Sequence, residues 1–268
     1  MPILSADQWF AAARRRTGVR KTTPRTTVAA QMFSLLDVAG NPGAGSLNIG
    51  NTANGLVPTD ATAGFPNIVN FAGGALGYLG QAEFRNSVAG GCILYDRLFH
   101  VGSIALNALA TTTLSAQPSF TSRLPDGTDY SDVDLLLEIN AAVSATATTV
   151  SVNFNDDTNA AQASAAVNVN GFTTGRVEIV PLNAGNKFPK QVNSVTVGGT
   201  VATTGSVNVV LARRLAEFDV RVANGLDPRA WDGLGAPIMF QDSALWPVII
   251  ADSTSSGLPR LSTTIISG

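Results

Sequence analysis

The sequence predicts a mainly β fold: a β-sandwich or barrel core of jelly-roll type, with an N-terminal arm that holds a short helix and a long glycine-rich loop. Three observations predict it. Beyond residue 90, apolar and polar residues alternate with period two in a series of short segments, as they do when a strand buries one face. These segments recur every 8–15 residues and are separated by Asn, Asp, Gly and Ser, which make turns. No segment beyond residue 40 has the spacing of a long helix.

The elements follow in order. Ser5, with Gln8 three residues later, supplies an N-cap, and Ala11-Ala12-Ala13 favours helix, so residues 4–16 read as one short helix. Trp9 and Phe10 form its apolar face, and Thr22-Thr23-Pro24 stops it. Residues 26–36 fit a second helix or a strand. Between Gly40 and Gly80 the pairs Pro42-Gly43, Gly45-Ser46, Asn54-Gly55 and Gly73-Gly74 break any regular element. A loop this long is ordered by lying against something.

Cys92–Leu106 then reads as an apolar strand. Val133/Leu135/Leu137, Val150/Val152/Phe154, Val167/Val169, Val177/Ile179, Val195/Val197, Val207/Val209 and Phe218/Val220/Val222 mark the core faces of further strands. Pro247 makes Leu245–Ile250 an edge strand, because proline cannot donate to a ladder. Leu261–Ser267 is the last strand. The expected organisation is a basic N-terminal arm (1–40), a glycine-rich segment packing on neighbours (41–90) and a β-sandwich or barrel domain (91–268).

The chain has one histidine (His100), one cysteine (Cys92) and 13% charged residues, against 45% hydrophobic. Catalytic centres draw on His, Cys, Asp, Glu and Lys in perturbed settings. The expectation is therefore a non-enzyme without catalytic residues, cofactor or metal. A lone cysteine allows neither an internal disulfide nor a multi-cysteine zinc site. No run of 18 apolar residues occurs, so no membrane span or membrane partner is expected, and the N-terminus lacks the apolar core of a secretory leader. Low charge with many small polar residues suits a surface covered by neighbours.

The net charge of −2 is unevenly spread. Residues 1–25 hold six bases and one acid, which leaves 11 bases and 18 acids for the remainder. Arg14, Arg15, Arg16, Arg20, Lys21 and Arg25, with Trp9 and Trp231, are the candidate interaction residues. Such a cluster touches an acidic protein neighbour or nucleic acid, or else is a solvated helix end. No aromatic lies between Arg14 and Arg25 to stack on bases, so nucleic acid is the less favoured contact. The Asp126–Asp134 run lacks the spacing of an EF-hand loop and reads as a polar turn, as does Asn155-Asp156-Asp157. His100 reads as a structural histidine, and Asp227–Gly233 as a turn-rich linker with one aromatic.

Gly91-Cys92-Ile93-Leu94-Tyr95-Asp96-Arg97-Leu98-Phe99-His100-Val101-Gly102, the Thr-rich Ala110–Leu114 segment and Ala236–Trp246 together resemble structural proteins of tailed-bacteriophage particles, over about residues 85–268. The resemblance implies a virion location, with assembly in the host cytoplasm, and self-assembly as the activity. Its partners would be copies of itself and the major capsid protein or other virion proteins. Within that class a decoration or cement protein binding between capsid subunits is the first expectation, and a tail-tube, neck or connector subunit the second. From another class comes a receptor- or carbohydrate-binding β-sandwich module. It is less favoured because the three Trp and three Tyr are scattered along the chain.

Overall fold

A computed structural model describes residues 3, 5–71, 75–183 and 188–268. The chain is mainly β, as expected. In chain order the elements are α1 (Ala6–Ala11), β1 (Ala13–Lys21), β2 (Gln31–Ser34), β3 (Gly40–Asn41), β4 (Gly77–Arg85), β5 (Gly90–Ala105), β6 (Thr111–Thr113), β7 (Val133–Ala141), β8 (Thr148–Asp156) and β9 (Ala161–Ala163). There follow β10 (Val167–Asn168), β11 (Arg176–Ile179), β12 (Pro189–Gly199), β13 (Ser206–Val220), β14 (Leu226–Ala230), α2 (Trp231–Leu234), β15 (Ile238–Met239), β16 (Leu245–Ala251) and β17 (Arg260–Ser267). Two antiparallel sheets and a six-strand barrel, ordered β11-β2-β16-β5-β13-β7, organise them.

The chain divides into two compact units. The first comprises Met1–Gly45, Thr59–Asp96 and Leu215–Gly268. Its sheet runs β14-β4-β17-β1-β3, with β15 also on β4. Alternation sorts each strand. Val19, Leu79, Ala82, Phe84, Leu261 and Ile265 point inward to a core shared with Phe71, Phe218, Met239 and Ile249. Arg14, Arg16 and Arg20 on β1, Arg260 and Ser262 on β17, and Gln81, Glu83 and Arg85 on β4 point outward. The second unit comprises Ser46–Pro58 and Arg97–Arg214. Its sheet runs β10-β8-β12-β6, with β9 on β8. Val150, Val152 and Phe154 from β8 and Val192, Val195 and Val197 from β12 meet Leu135, Leu137, Val207 and Val209 in its core.

Four expectations are corrected. The helix ends at Ala11 instead of Arg16, and its expected start at Leu4 lies outside the described residues. Residues 13–21 form β1 because β17 offers them an eight-residue antiparallel ladder, from Ala13↔Ser267 to Arg20↔Arg260, and inward sites for Val19 and Lys21. Tertiary pairing outweighs the helix propensity of three alanines. Val207/Val209 and Phe218/Val220 belong to one 15-residue strand, β13. The segment read as a linker at Asp227 is strand β14, an edge strand in which Pro228 is tolerated opposite Glu83.

The fourth concerns β16, which is central, paired to β2 on one side and β5 on the other. Pro247 fits because the β2 ladder begins only at Val248, so Pro247 faces a partner, Leu94, on one side alone. The glycine-rich stretch is irregular between β3 and β4, as expected, while Gly73-Gly74 lies outside the described residues. Side chains order its parts. The Asn51 Oδ1 accepts from the backbone N–H of Ala53, Asn54 and Gly55, and the Asp60 Oδ2 accepts from the N–H of Ile68.

Candidate interaction surface

The outward face of the β14-β4-β17-β1-β3 sheet gathers the features the sequence singled out. Opposed residues of an antiparallel pair share a face. Arg20 lies opposite Arg260, and Arg260 opposite Arg85, so three exposed arginines stand in one row across β1, β17 and β4. With strands about 4.8 Å apart, the row spans roughly 10 Å. Leu226 of β14 extends it. The next outward pair is Gly18 opposite Ser262, with Glu83 beyond; then comes Arg16 opposite Thr264 and Gln81.

Gly18 is required by close approach. A Cβ there would meet the Leu261 carbonyl oxygen at 2.2 Å. Its bare backbone floors a cleft of about 470 Å³ lined by Arg20, Asn41, Glu83, Arg85, Arg260 and Ser262, among others. Glu83 is the one acid on this face of the strands, and its Oε1 accepts from Arg85 Nε at 2.6 Å. Among the described residues, Arg14, Arg16, Arg20 and Arg260 have no ion pair. Like charges set directly opposite repel, so the row favours an anionic group from outside.

The other end of the same face is aromatic. A shift in the β4–β17 register between Thr264 and Ile265 keeps Tyr78 outward while Leu79 turns into the core. Gly80 sits at the shift, where a Cβ would strike Ile266 and approach Trp9. Helix α1, capped by Ser5 accepting from the Gln8 N–H at 3.2 Å, lays Trp9 there. Trp9 is 6.2 Å from Tyr78 and 6.0 Å from Trp231, centroid to centroid, both pairs tilted. Ile3, Ala6, Phe10 and Ala236 complete an apolar groove of about 510 Å³. Phe10 is 69% exposed and Trp231 53%. Trp9 and Trp231, 222 positions apart in sequence, are thus brought together. Three of the six Trp and Tyr residues, scattered in sequence, share this site.

The basic cluster divides by strand parity. Arg14, Arg16 and Arg20 reach solvent. Arg15 turns to the opposite side, donates to Ser267 Oγ at 2.5 Å and lies over the Phe71 ring. Lys21 is buried, its Nζ donating to the Val38 carbonyl at 2.8 Å, and burial lowers its pKa to about 8. Arg25 is paired with Asp37. Arg85 and Arg260 escaped the sequence reading. The signal was there in the alternation of β4 and β17, but only strand pairing places them beside Arg20.

In the second unit, Arg97 and Glu138 form a fully buried pair, with Nη2 donating to Oε2 at 2.6 Å. Arg97 Nη2 also lies 2.6 Å from His100 Nδ1. Burial, reinforced by the Arg97 charge, holds the His100 pKa well below its ordinary value. Asn208 Nδ2 donates to the Leu47 carbonyl at 2.9 Å. The Asp126–Asp134 run is a turn whose Asp129 Oδ1 accepts from the Ser131 N–H, and whose Asp134 pairs with Arg214. Asp156 closes the β8–β9 hairpin. Its carboxylate accepts from the Thr158 hydroxyl, Gln162 and the Ala160 N–H, and these bonds lower its pKa to about 2. Among the described residues no cluster of three or more His, Cys, Asp or Glu is arranged to hold a metal ion.

No protein-family model matches the chain, and no curated protein matches it. Among solved structures, it is similar to the VP2 subviral particle of infectious bursal disease virus, at 9% identity and a TM-score of 0.17, covering 96% of this chain and 80% of that one. It is also similar to the T=1 particles derived from the same virus, at 10% identity, a TM-score of 0.17, and 96% and 77% coverage. At such TM-scores the backbones coincide too little to carry an argument.

Proposed function

We propose that this chain is a non-enzymatic structural subunit of a virus particle, a decoration or cement protein that oligomerises and binds between capsid subunits of a phage head. The observation that carries this reading is the outward sheet face, aromatic at one end and arginine-rich at the other. Trp, Tyr and Arg are the residues enriched at protein interfaces and at their energetic hot spots. An exposed apolar patch of this kind marks an interaction site. Most of the face is built on paired strands, so its backbone is ordered before binding and the cost that remains is that of fixing side chains. The resemblance of Gly91–Gly102, Ala110–Leu114 and Ala236–Trp246 to phage structural proteins supports the setting, and partner and location follow from it.

The test is direct. Purified chain is added to capsids that lack it, and its site is read by electron microscopy. Binding at defined positions between shell subunits, weakened at least tenfold by Phe10→Ser with Trp231→Ala, is the expected result. Density in the tail tube or neck would favour the second virion reading. Absence from particles would overturn both.

One observation favours a carbohydrate-binding module instead: the Trp9–Tyr78–Trp231 cluster is aromatic and accessible. Specific small-ligand sites combine apolar walls with several placed polar groups. Here the polar side-chain groups among the described lining residues are the Ser5 and Tyr78 hydroxyls and two indole N–H groups, with no amide or carboxylate, which fits an apolar protein surface better than a sugar. Glycan-array binding abolished by Trp231→Ala would reverse that preference.

A further inference from the structure

We propose that the arginine row Arg20–Arg260–Arg85 receives the Asp126–Asp132 loop of a second copy of this chain. The inference rests on reading the chain as an assembling subunit, and it names the two surfaces that meet. The row is a standing excess of positive charge: three arginines abreast, Arg16 and Arg14 further along β1, and Glu83 as the single acid among them. The loop is its complement. Asp126, Asp129 and Asp132 are exposed, and the chain turns through them with 3₁₀ bonds from Thr128 N–H to the Pro125 carbonyl and from Val133 N–H to the Tyr130 carbonyl. Asp126 and Asp132 have no ion pair among the described residues; Asp129 feels the buried Arg213.

Asp7, Asp232, Asp242 and Asp252 are exposed singly, whereas Asp126, Asp129 and Asp132 stand together on one loop, and four further acids are already engaged. Asp219 pairs with Arg221, Asp227 with Arg229, Glu178 with Arg176 and Asp134 with Arg214. The row spans roughly 10 Å, a width that a single surface loop can cover. The cleft over Gly18, between Arg20, Arg260 and Arg85, has room for a carboxylate side chain, and arginine forks bind carboxylates bidentately. A nucleic-acid strand fits less well. Thr264, Ser262 and Gln81 between the cations offer no surface for bases to stack on.

Basic face on one copy and acidic loop on the next make a head-to-tail contact. Such contacts close into rings or run on as open arrays. Being ionic and partly exposed, the contact weakens with salt.

The experiment is a charge swap on the full chain, followed by sedimentation velocity at about 50 and 500 mM salt, where the Debye length falls severalfold. One variant carries Arg20→Glu and Arg260→Glu; the other carries Asp126→Lys and Asp132→Lys. Each alone is expected to lose at least tenfold in self-association with an unchanged circular-dichroism melt. Mixed, they are expected to associate again as alternating copies, since the native loop of one meets the native face of the other and the two reversed surfaces are again opposite in charge. Should a reversal variant melt early, Arg20→Gln with Arg260→Gln replaces it, with the same loss expected.

Wild-type self-association in the arginine variant, no recovery on mixing, or a wild-type chain that stays monomeric at low salt would overturn the proposal. So would an arginine variant that loses only binding to an oligonucleotide. Particle binding is scored separately. A chain that decorates capsids but fails the swap sinks this contact alone; one that passes the swap but ignores capsids sinks the virion reading alone.

Discussion

Arg97 and Glu138 face each other with no solvent exposure on either side chain, the guanidinium donating to both carboxylate oxygens at 3.2 and 2.6 Å. Two charges so placed are each tolerable only because of the other. Glu138→Ala is expected to destabilise the chain by roughly 3–5 kcal/mol, the cost of an uncompensated buried charge. Arg97→Met with Glu138→Leu is expected to recover most of that loss. Urea titration of the three variants checks the pattern; a double variant as unstable as the single would show that the pair contributes through more than charge balance.

The same cluster makes stability sensitive to mild acid. His100 accepts from Arg97 at Nδ1, and both its burial and the Arg97 charge disfavour the imidazolium. The folded chain therefore keeps His100 neutral where the unfolded chain, with an ordinary pKa near 6.5, takes up a proton. Its contribution is fully present above about pH 6.5 and falls as pH drops below that, by at most about 1.4 kcal/mol per pH unit. His100→Gln is expected to flatten the melting curve between pH 6.5 and 5. An unaltered slope would remove His100 as the cause.

Lys21 acts in the opposite range. Burial lowers its pKa to about 8, with nearby Arg25 adding to the effect and Asp37 opposing it. Between pH 8 and about 10.5 the unfolded chain holds a proton that the folded chain has released, so this residue adds stability as pH rises through that window. Comparing wild type with Lys21→Met isolates the effect from other groups. The wild type is expected to gain on the variant between pH 7.5 and 10.

Gly18→Ala tests the β1–β17 approach. A methyl group 2.2 Å from the Leu261 carbonyl forces the strands apart, at an expected cost of roughly 1–3 kcal/mol. Hydrogen exchange is expected to speed up along β1 and β17 first. Uniform protection would show that the ladder absorbs the methyl elsewhere.

Much of the fold was legible because alternation is local. Val150, Val152 and Phe154 declare a half-buried strand whatever they pair with, and Ser5 with Gln8 declares a helix start. What was not legible depends on partners distant in sequence. Nothing near Ala13 says that a C-terminal strand will draw residues 13–21 out of a helix. Pro247 reads as an edge residue until the neighbouring ladder is seen to start one residue later.

The surface divides along the same line. The basic cluster was visible as composition, but which of its members face outward follows from strand parity: Arg14, Arg16 and Arg20 do, whereas Lys21 is buried and Arg15 turns away. Alternation along β4 and β17 marks Arg85 and Arg260 as outward, but only the strand pairing sets them beside Arg20. Trp9 and Trp231 each stand out in the sequence, but nothing local says that α1 lays Trp9 over Gly80, beside Trp231.

The pairing of β1 with β17 also sets a condition on synthesis. Arg20, Arg85 and Arg260 become neighbours only after the last of them has left the ribosome and its strand has slotted between the other two. A chain cut short by premature termination before Arg260 cannot display the row. The charged row is thus a property of the three-strand pairing as a whole, carried by none of its strands alone.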